Sequence, residues 1–284
     1  MNKKMNTKLM SIFTRAPLHV GAGSSVGAVD QPVVRERHTG YPVIPGSSLK
    51  GVLADLWNDE KGEKFVRSEE GVKLFGSDDQ KDPSAGKLLI GEGKLLAFPV
   101  RSAKGCWAWL TSPLALERFA RDKRMPLDVP SVAENAVLAS ASLRLSDKVI
   151  LEEFPLVVSG EVPPAIVDAF KELLDENLWK DNVAGHLVVV SDEMFAYFVK
   201  NACEIANHNR IDDKTGVVAD GALFSQENVP SETLFYAVFS ARKGDEDAFA
   251  QLKAKVAEEN NLLQIGADMT TGLGWCTVAL KEVK

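Results

Sequence analysis

Apolar residues recur along this chain at two spacings, one typical of strands and one typical of helices. Residues 8–15 are rich in apolar side chains and end before Pro17, which predicts a first strand. A helix with one buried face is predicted further on by apolar residues at helical spacing, which are Leu49, Val52, Leu53, Leu56 and Trp57. Ser47 or Ser48 precedes this helix, and we expect one of them to cap its N-terminus. The chain therefore opens with a strand, a long connection and a helix.

The last third of the chain has the clearest order of elements. The pattern predicts a strand at 233–241, a helix at 245–259, a strand at 262–266 and, after a glycine turn, a strand at 275–283. Combined with the first strand and helix, this β-α-β-β order indicates an α+β fold with a ferredoxin-like core. Further elements are predicted in between: a strand with a glycine bulge at 86–100, a helix after Ser112 and Pro113, a strand at 148–159, a helix at 166–174, a strand at 187–190 and a helix from Ser191.

Two stretches lack a regular pattern. Residues 58–84 are charged and read as an exposed insertion, with disorder expected around 76–86. Residues 207–228 are polar and contain two glycines, and a connection of this length inside a compact domain is usually functional or disordered.

Composition bounds the class of protein. The chain has 284 residues, of which 45% are hydrophobic, enough for one large domain with its own core. The net charge of −7 excludes nucleic-acid binding by overall charge alone but is compatible with a local basic groove. The three cysteines are odd in number and far apart, so we expect neither disulfides nor a zinc site, and a reducing cytoplasm. No apolar run approaches 18 residues, so no membrane partner is expected.

Candidate chemistry is concentrated between residues 19 and 53. Three glycines at 21, 23 and 27 predict a shaped loop, and Asp30 follows them as a lone acid. Residues 31–51 carry Arg35, Arg37 and Lys50 against Glu36, a local charge of +2. Because a helix N-terminus also carries partial positive charge, this segment favours phosphate.

Generic glycine motifs explain this stretch poorly. The spacing of the glycines fails the dinucleotide fingerprint, and the residues after Gly46 fail the P-loop pattern. The run from Gly23 to Gly27 does match the G-x-S-x-G elbow of serine hydrolases, with Ser25 as nucleophile and His186 or His208 as base. The elbow needs a helix after the turn, whereas the following residues are extended and interrupted by proline, so a hydrolase remains a distant alternative.

The stretch 19–53, the stretch from Asn209 to Tyr236 and the late run from Gly266 to Trp275 together resemble the RAMP superfamily of CRISPR effector proteins. More narrowly, they resemble the repeated (Cas7-group) backbone subunit of type III-B (Cmr) complexes. The resemblance implies one RAMP domain over 1–284 with an RRM-like, ferredoxin-like core, a finger-like insertion at about 58–130 and a thumb-like hairpin at about 205–230. It also implies a subunit that polymerises along crRNA with other Cmr subunits and cleaves complementary single-stranded target RNA at regular intervals.

The resemblance also implies site residues. Asp30 matches the aspartate needed for target cleavage, and His19, Glu232 and Tyr236 lie where the family has further candidates. A carboxylate with a pKa near 4 is a weak base at neutral pH, so holding a divalent metal, Mg²⁺ or Mn²⁺, is the better role for Asp30. The ribose 2′-hydroxyl next to the scissile phosphate would be the nucleophile. The expected RNA contacts are Lys50, Arg35, Arg37, His38, Ser47, Ser48, Arg210, Met269, Thr270, Thr271, Gly272 and Gly274.

Several alternatives stay open on the sequence. The alternatives to a backbone subunit that cleaves RNA are a guide-RNA scaffold without activity, a type III-A backbone subunit, and the hydrolase that uses Ser25. Single residues have alternatives too. Asp30 can simply accept hydrogen bonds from turn N–H groups, His19 can hold the loop backbone, and Glu232 and Tyr236 can be ordinary strand residues. Met269 can fill a core, and Arg35 and Arg37 can form surface ion pairs with Glu36.

Overall fold

The fold is described from a computed structural model of the chain. It describes residues 6–25, 27–61, 64–77, 83–212, 214–218, 222–242, 244–245 and 247–283. Within these residues the helices are α1 (Gly46–Asp55), α2 (Glu69–Phe75), α3 (Pro113–Lys123), α4 (Pro164–Lys171), α5 (Asn177–His186), α6 (Asp192–Asn201) and α7 (Asp247–Glu258). The strands are β1 (Asn6–Thr14), β2 (Val43–Ile44), β3 (Asn58–Lys61), β4 (Lys64–Arg67), β5 (Leu88–Ser102), β6 (Cys106–Thr111), β7 (Ala136–Ala139), β8 (Lys148–Leu151), β9 (Phe154–Gly160), β10 (Leu187–Val190), β11 (Glu204–His208), β12 (Phe224–Asn228), β13 (Leu234–Ala241), β14 (Leu262–Gln264) and β15 (Trp275–Glu282).

Four antiparallel strands form the centre of the molecule, in the order β15-β1-β13-β5. Taken with α1 and α7 in chain order, they give β-α-β-β-α-β with the spatial order 4-1-3-2 of a ferredoxin-like fold. The predicted α+β class and ferredoxin-like core are therefore confirmed. All other elements are insertions in, or extensions of, this unit.

The central sheet continues beyond the ferredoxin-like unit through β5. The first half of this long strand pairs with β13, whereas Phe98–Ser102 pair with β6, and β10, β7, β9 and β8 follow. In the described part of the chain the sheet has 11 strands. The finger-like insertion predicted at about 58–130 is interrupted by β5, which is itself a strand of the ferredoxin-like unit. The β3–β4 hairpin and α2 precede β5, whereas β6 belongs to the extension of the sheet.

The sheet has one layer of helices on each face. Along β1, Met10 and Ile12 pack into the cluster that contains α1, α2, α6 and α7, whereas Leu9 and Phe13 pack into the cluster with α3, α4 and α5. This alternation is what a strand buried on both faces requires. None of the helices in the described ranges is long and apolar enough to cross a membrane.

Some local predictions need correction. Pro45, not a serine, occupies the N-cap of α1 and makes no side-chain cap bond, so Ser47 and Ser48 lie within the first turn. A Cβ on Gly46 would lie 2.9 Å from Ile90 O, so glycine lets the first residue of α1 pack closely against β5. The strand predicted at 148–159 is a hairpin of β8 and β9. Residues 58–77 hold the β3–β4 hairpin and α2 with buried Leu74 and Phe75, while 78–82 lie outside the described residues.

Candidate functional site

The three stretches that carry the resemblance meet at one place in the structure. The glycine-rich loop forms a hairpin, in which Ala22 N donates to Pro32 O at 2.9 Å and Ser25 N to Asp30 O at 2.9 Å. The start of this hairpin pairs with the residue after β12 through Leu18 and Val229. The C-terminal glycine loop joins through Ala267 N, which donates to the carbonyl of His19 at 2.9 Å.

Two glycines of the C-terminal loop allow this close packing. A Cβ on Gly266 would lie 2.2 Å from His19 O, and one on Gly274 would lie 2.0 Å from Ile265 O. Both have positive φ, 84° and 78°. Gly274 thus has a structural reason to be glycine that does not involve RNA, whereas a Cβ on Gly272 would meet nothing within 4 Å.

Asp30 lies at the tip of the glycine-loop hairpin and is exposed to solvent. Its Oδ2 accepts hydrogen bonds from the backbone N and the hydroxyl of Ser225, both at 2.8 Å. These bonds, the backbone bond first, hold the pKa of Asp30 below its usual value, so the carboxylate is anionic at neutral pH. Its other oxygen, Oδ1, has no hydrogen-bond partner among the residues described.

The donor set around Asp30 fits a metal only if RNA supplies further ligands. In the described ranges no three His, Cys, Asp or Glu side chains are placed to hold an ion. Mg²⁺ is often bound by one or two carboxylates together with substrate phosphates and water. The free oxygen of Asp30 fits the role of such a single protein ligand, and a preformed metal centre is not present in the described part of the molecule.

His19 is buried rather than open to a substrate. The residue is 4% exposed, and its ring atom Nδ1 lies 2.7 Å from the carbonyl oxygen of Glu227. A Cβ on Gly21 would lie 2.8 Å from the other ring nitrogen. His19 therefore holds the glycine loop against the strand β12, and the prediction that it transfers a proton is not supported by its placement.

Neither Tyr236 nor Glu232 contacts Asp30 or the described part of the glycine-rich loop. Tyr236 is 1% exposed, packs on the face of α3 to α5, and its hydroxyl lies 3.0 Å from Asp122 Oδ2. Glu232 is half-buried beside a separate cavity of about 400 Å³ lined by Trp107, Trp109 and Leu178. Burial there raises the pKa of Glu232.

The basic residues of the stretch divide into paired and unpaired ones. Arg35 is largely buried and forms an ion pair with Glu227 Oε1 at 2.5 Å, which makes it a structural residue. Arg118 binds Glu36 at 2.9 Å and also donates to His38 Nε2 at 2.7 Å. Arg37 and Lys50 are exposed and have no ion pair with any described residue. The alternative of a surface ion-pair strip of Arg35, Glu36 and Arg37 therefore does not hold, because Arg35 pairs with Glu227 and Glu36 with Arg118.

Asp30 and the start of α1 lie at the same end of a second hairpin. Val43 N donates to Val34 O at 3.1 Å and Arg35 bridges to Pro42, so the chain reverses at 37–40. The open end of this antiparallel pair carries Asp30 on one strand and α1, with Ser47, Ser48 and Lys50, on the other.

A cleft of about 1090 Å³ opens beside the glycine loop. One wall is formed by loop residues 25 and 27–29, a second by the turn at 37–40, and a third by α6. The side chains that give the cleft its character are Arg37, His38, Glu193, Tyr197 and Lys200. Tyr197 is 43% exposed and contacts Phe154 edge-on, so the cleft combines cations with an accessible aromatic ring.

The remaining predicted RNA contacts are exposed. Met269 is 58% exposed and does not fill a core, and Thr270, Thr271 and Gly272 follow it in a short 3-10 turn. β11 and β12 form a separate two-stranded sheet, where the thumb-like hairpin was predicted at about 205–230, and Arg210 lies exposed beyond β11. Residues 213 and 219–221 of this hairpin lie outside the described residues.

The sequence did not identify the strand that organises the site. Ser225, Gln226 and Glu227 are consecutive in β12, and each binds a different segment: Asp30, Asp268 and Arg35. Gln226 and Glu227 are buried, at 1% and 7% exposure. Consecutive polar residues in a strand have the sequence pattern of an exposed loop, so β12 was not recognised. The run of four polar residues before Val229 was the available signal.

The hydrolase alternative is contradicted by the geometry. Ser25 lies at a hairpin tip with no helix after it, and its Oγ accepts from Gly27 N at 3.0 Å. His186 stacks on Trp107, and His208 stacks on Phe224 in the thumb-like hairpin. Neither histidine contacts Ser25.

Comparison with known proteins defines the class first. The model of the RAMP superfamily matches residues 12–277, and the chain belongs to this superfamily. Within it, the chain is 37% identical to the "CRISPR system Cmr endoribonuclease Cmr4" of Pyrococcus furiosus, over 98% of this chain and 97% of that protein. The crystal structure of oligomeric Cmr4 from Pyrococcus furiosus superimposes with a TM-score of 0.75 at 32% identity, covering 99% of this chain and all of that one. Another relative, the "CRISPR system Cms endoribonuclease Csm3" of Streptococcus thermophilus, matches 28% of this chain at 36% identity. The predicted resemblance to the backbone subunit of Cmr complexes is therefore confirmed.

Proposed function

We propose that this chain binds crRNA as a repeated backbone subunit of a type III-B complex and cleaves complementary single-stranded target RNA. The full-length similarity to a protein named Cmr endoribonuclease supports the type III-B assignment over the type III-A alternative. The observation that carries the cleavage proposal is Asp30, an exposed carboxylate with one oxygen fixed by Ser225 and the other free. Other copies of the chain and other Cmr subunits complete the assembly, in the reducing cytoplasm that three free cysteines suit.

Exposed basic residues of the same segment of the chain support an RNA path in this proposal. Lys50, Ser47 and Ser48 in the first turns of α1 suit contacts to phosphates, since a helix N-terminus and a lysine both attract anions. Such contacts read the backbone, and sequence comes from pairing between guide and target. The cleft with Arg37, Lys200 and Tyr197 lies beside the same loop and suits the unpaired part of a strand.

In the proposed reaction the 2′-oxygen attacks the adjacent phosphorus and the bond to the 5′-oxygen breaks. The products are a 2′,3′-cyclic phosphate and a free 5′-hydroxyl, so the proton lost by the 2′-hydroxyl is matched by the proton gained at the leaving oxygen. The chain contributes mainly by holding the strand so that the attacking and leaving oxygens are in line. Asp30 would be the protein ligand of a divalent cation, Mg²⁺ or Mn²⁺, which when bound neutralises charge on the phosphate.

The proposal is tested with the complex reconstituted on crRNA of defined length. Complementary RNA is added with Mg²⁺, with Mn²⁺ or with excess EDTA, and the products are separated by length. We expect regularly spaced cuts in either metal and none in EDTA, with the target bound in every case. Cutting that persists in EDTA would remove the metal from the proposal.

A scaffold that binds guide RNA without cutting is the second candidate. It is favoured by one observation, since the described residues hold no ready-made cluster of metal ligands. The same experiment separates the two, because a scaffold binds complementary RNA and leaves it intact in both metals.

A further inference from the structure

Asp30 and Ser225 are joined by a reciprocal set of bonds. The hydroxyl of Ser225 lies 2.8 Å from Asp30 Oδ2, and the backbone N–H of Ser225 donates to the same oxygen at 2.8 Å. In the opposite direction, Asp30 N donates to Ser225 Oγ at 3.0 Å. The next backbone pair continues the contact, since Gln31 N donates to Ser225 O at 3.0 Å.

The direction of each hydrogen bond follows from the chemistry of the Ser225 hydroxyl. A serine hydroxyl has one proton and can accept through its lone pairs. Because Asp30 N occupies it as an acceptor, the proton of Ser225 Oγ is left to point at Oδ2. Two donors therefore converge on one carboxylate oxygen, and this fixes the rotation of the carboxyl group. The free oxygen, Oδ1, is held in one direction as a result.

Ser225 is itself held in place by its neighbours in β12. Gln226 Nε2 donates to Asp268 Oδ2 at 2.6 Å, and Glu227 Oε2 accepts from Val33 N at 3.0 Å. Both neighbouring residues are buried. The serine is thus mounted on a strand tied to the C-terminal loop on one side and to the 31–36 segment on the other, and it is a fixed partner for an otherwise exposed carboxylate.

We propose that Ser225 is the positioning residue of the cleavage site, acting through its hydroxyl to orient the carboxylate of Asp30 toward the scissile phosphate. The inference rests on the proposed cleavage function and adds to it a residue on the thumb-like hairpin. Since β12 is one strand of that hairpin, the loop with Asp30 is bonded to the same two-stranded sheet.

The test uses the assembled complex with crRNA and compares Ser225→Ala with Ser225→Thr. Alanine removes one of the two donors to Oδ2 and the acceptor of Asp30 N, whereas threonine keeps the hydroxyl and suits a strand. We expect the single-turnover cleavage rate to fall about 10-fold for S225A and to stay within about 3-fold of the original for S225T. The dissociation constant for target RNA should change by less than about 2-fold in both, because a positioning residue does not hold the strand.

Two further measurements separate positioning from general structural damage. Ser24→Ala is the matched control, since Ser24 is an exposed serine of the same loop and makes no hydrogen bond with a described residue. Hydrogen exchange of the peptide that contains Asp30 should accelerate in S225A, through loss of the Asp30 N bond, and remain unchanged in S24A and S225T.

Each outcome decides the proposal. If S225A cuts at the original rate while Asp30→Ala is inactive, the role of Ser225 is wrong and the cleavage site stands. If Asp30→Ala cuts normally, the proposed function itself fails. If S225A does not assemble, Ser225→Cys replaces it, because the thiol has similar size and is a weak donor. In that case a rate at least about 3-fold lower supports the inference, and the original rate contradicts it.

Discussion

The ion pair between Arg35 and Glu227 should carry a measurable part of the stability of the site. Glu227 has 10% of its side chain exposed and Arg35 has 20%, and their closest atoms are 2.5 Å apart. Replacing Glu227 by alanine leaves a largely buried guanidinium without its carboxylate, at a cost of about 2 kcal/mol for a pair that keeps some contact with solvent. It also removes the acceptor of the buried Val33 N–H, which adds about 1 kcal/mol. We therefore expect E227A to lower the free energy of unfolding by about 3 kcal/mol.

Equilibrium unfolding in urea measures this change on the isolated chain. Glu258→Ala is the matched control, because Glu258 pairs with Lys255 at 2.9 Å on the exposed surface of α7 with 62% of its side chain exposed. Such a surface pair contributes less than about 0.5 kcal/mol. A double-mutant cycle with Arg35→Met should give a coupling energy of at least about 1 kcal/mol.

The reasoning is refuted if E227A unfolds at the same urea concentration as E258A. It is also refuted if the effects of E227A and R35M simply add. Either result would mean that the pair does not hold the 31–36 segment, α6 and β12 together, and that the cleft walls are fixed by apolar packing alone.

Further predictions concern Lys50 at the start of α1 and two hydrogen-bonded residues, Tyr236 and Asp122. Lys50→Ala should weaken binding of crRNA of any sequence and reduce the slope of log K against log salt by about 1, as measured by fluorescence anisotropy over a salt series. Tyr236→Phe should leave target cleavage unchanged and lower the free energy of unfolding by about 1 kcal/mol, since it removes only the bond to Asp122; a loss of cleavage at unchanged stability would restore Tyr236 to the site. Burial acts to raise the pKa of Asp122, but the hydrogen bond and charge of Lys94 outweigh it and hold that pKa below its usual value. A depressed pKa stabilises the folded state above the unfolded pKa of about 4, and this stability is lost as pH falls through the folded value. Asp122→Asn should therefore flatten the fall in unfolding free energy below about pH 4, measured by urea unfolding across pH.

Helices and strands with regularly spaced apolar residues could be predicted from the sequence. The pairing of each strand with its neighbours in the sheet could not. The apolar spacing that begins at Leu49 gave the buried face of α1, and the C-terminal pattern gave the ferredoxin-like order of strands. The double role of β5 was hidden, because one continuous strand pairs with β13 at one end and β6 at the other. Nothing in a local pattern marks the point where a strand changes partners.

The candidate site shows the same division. Asp30 was predicted from its place in a loop flanked by glycine and proline and from the resemblance, and its partner Ser225 was missed because the two are 195 residues apart. The burial of Tyr236 was not foreseen, because strand alternation places it on the same face as Leu234 without showing that this face lies against α3 to α5. The resemblance pointed to the three stretches that meet at the site. Only the structure showed that Asp30 is exposed whereas Gln226 and Glu227 are buried.

The central claim is that the carboxylate of Asp30, on a loop bonded to the thumb-like hairpin, is required for cleavage of the bound target. Its most direct test is the single-turnover cleavage rate of the assembled complex with Asp30→Asn in every copy of the chain, at a protein concentration that saturates the RNA. The account predicts the same crRNA content and target affinity as the original complex and a cleavage rate at least about 100-fold lower. A rate within about 2-fold of the original, with assembly intact, would contradict it.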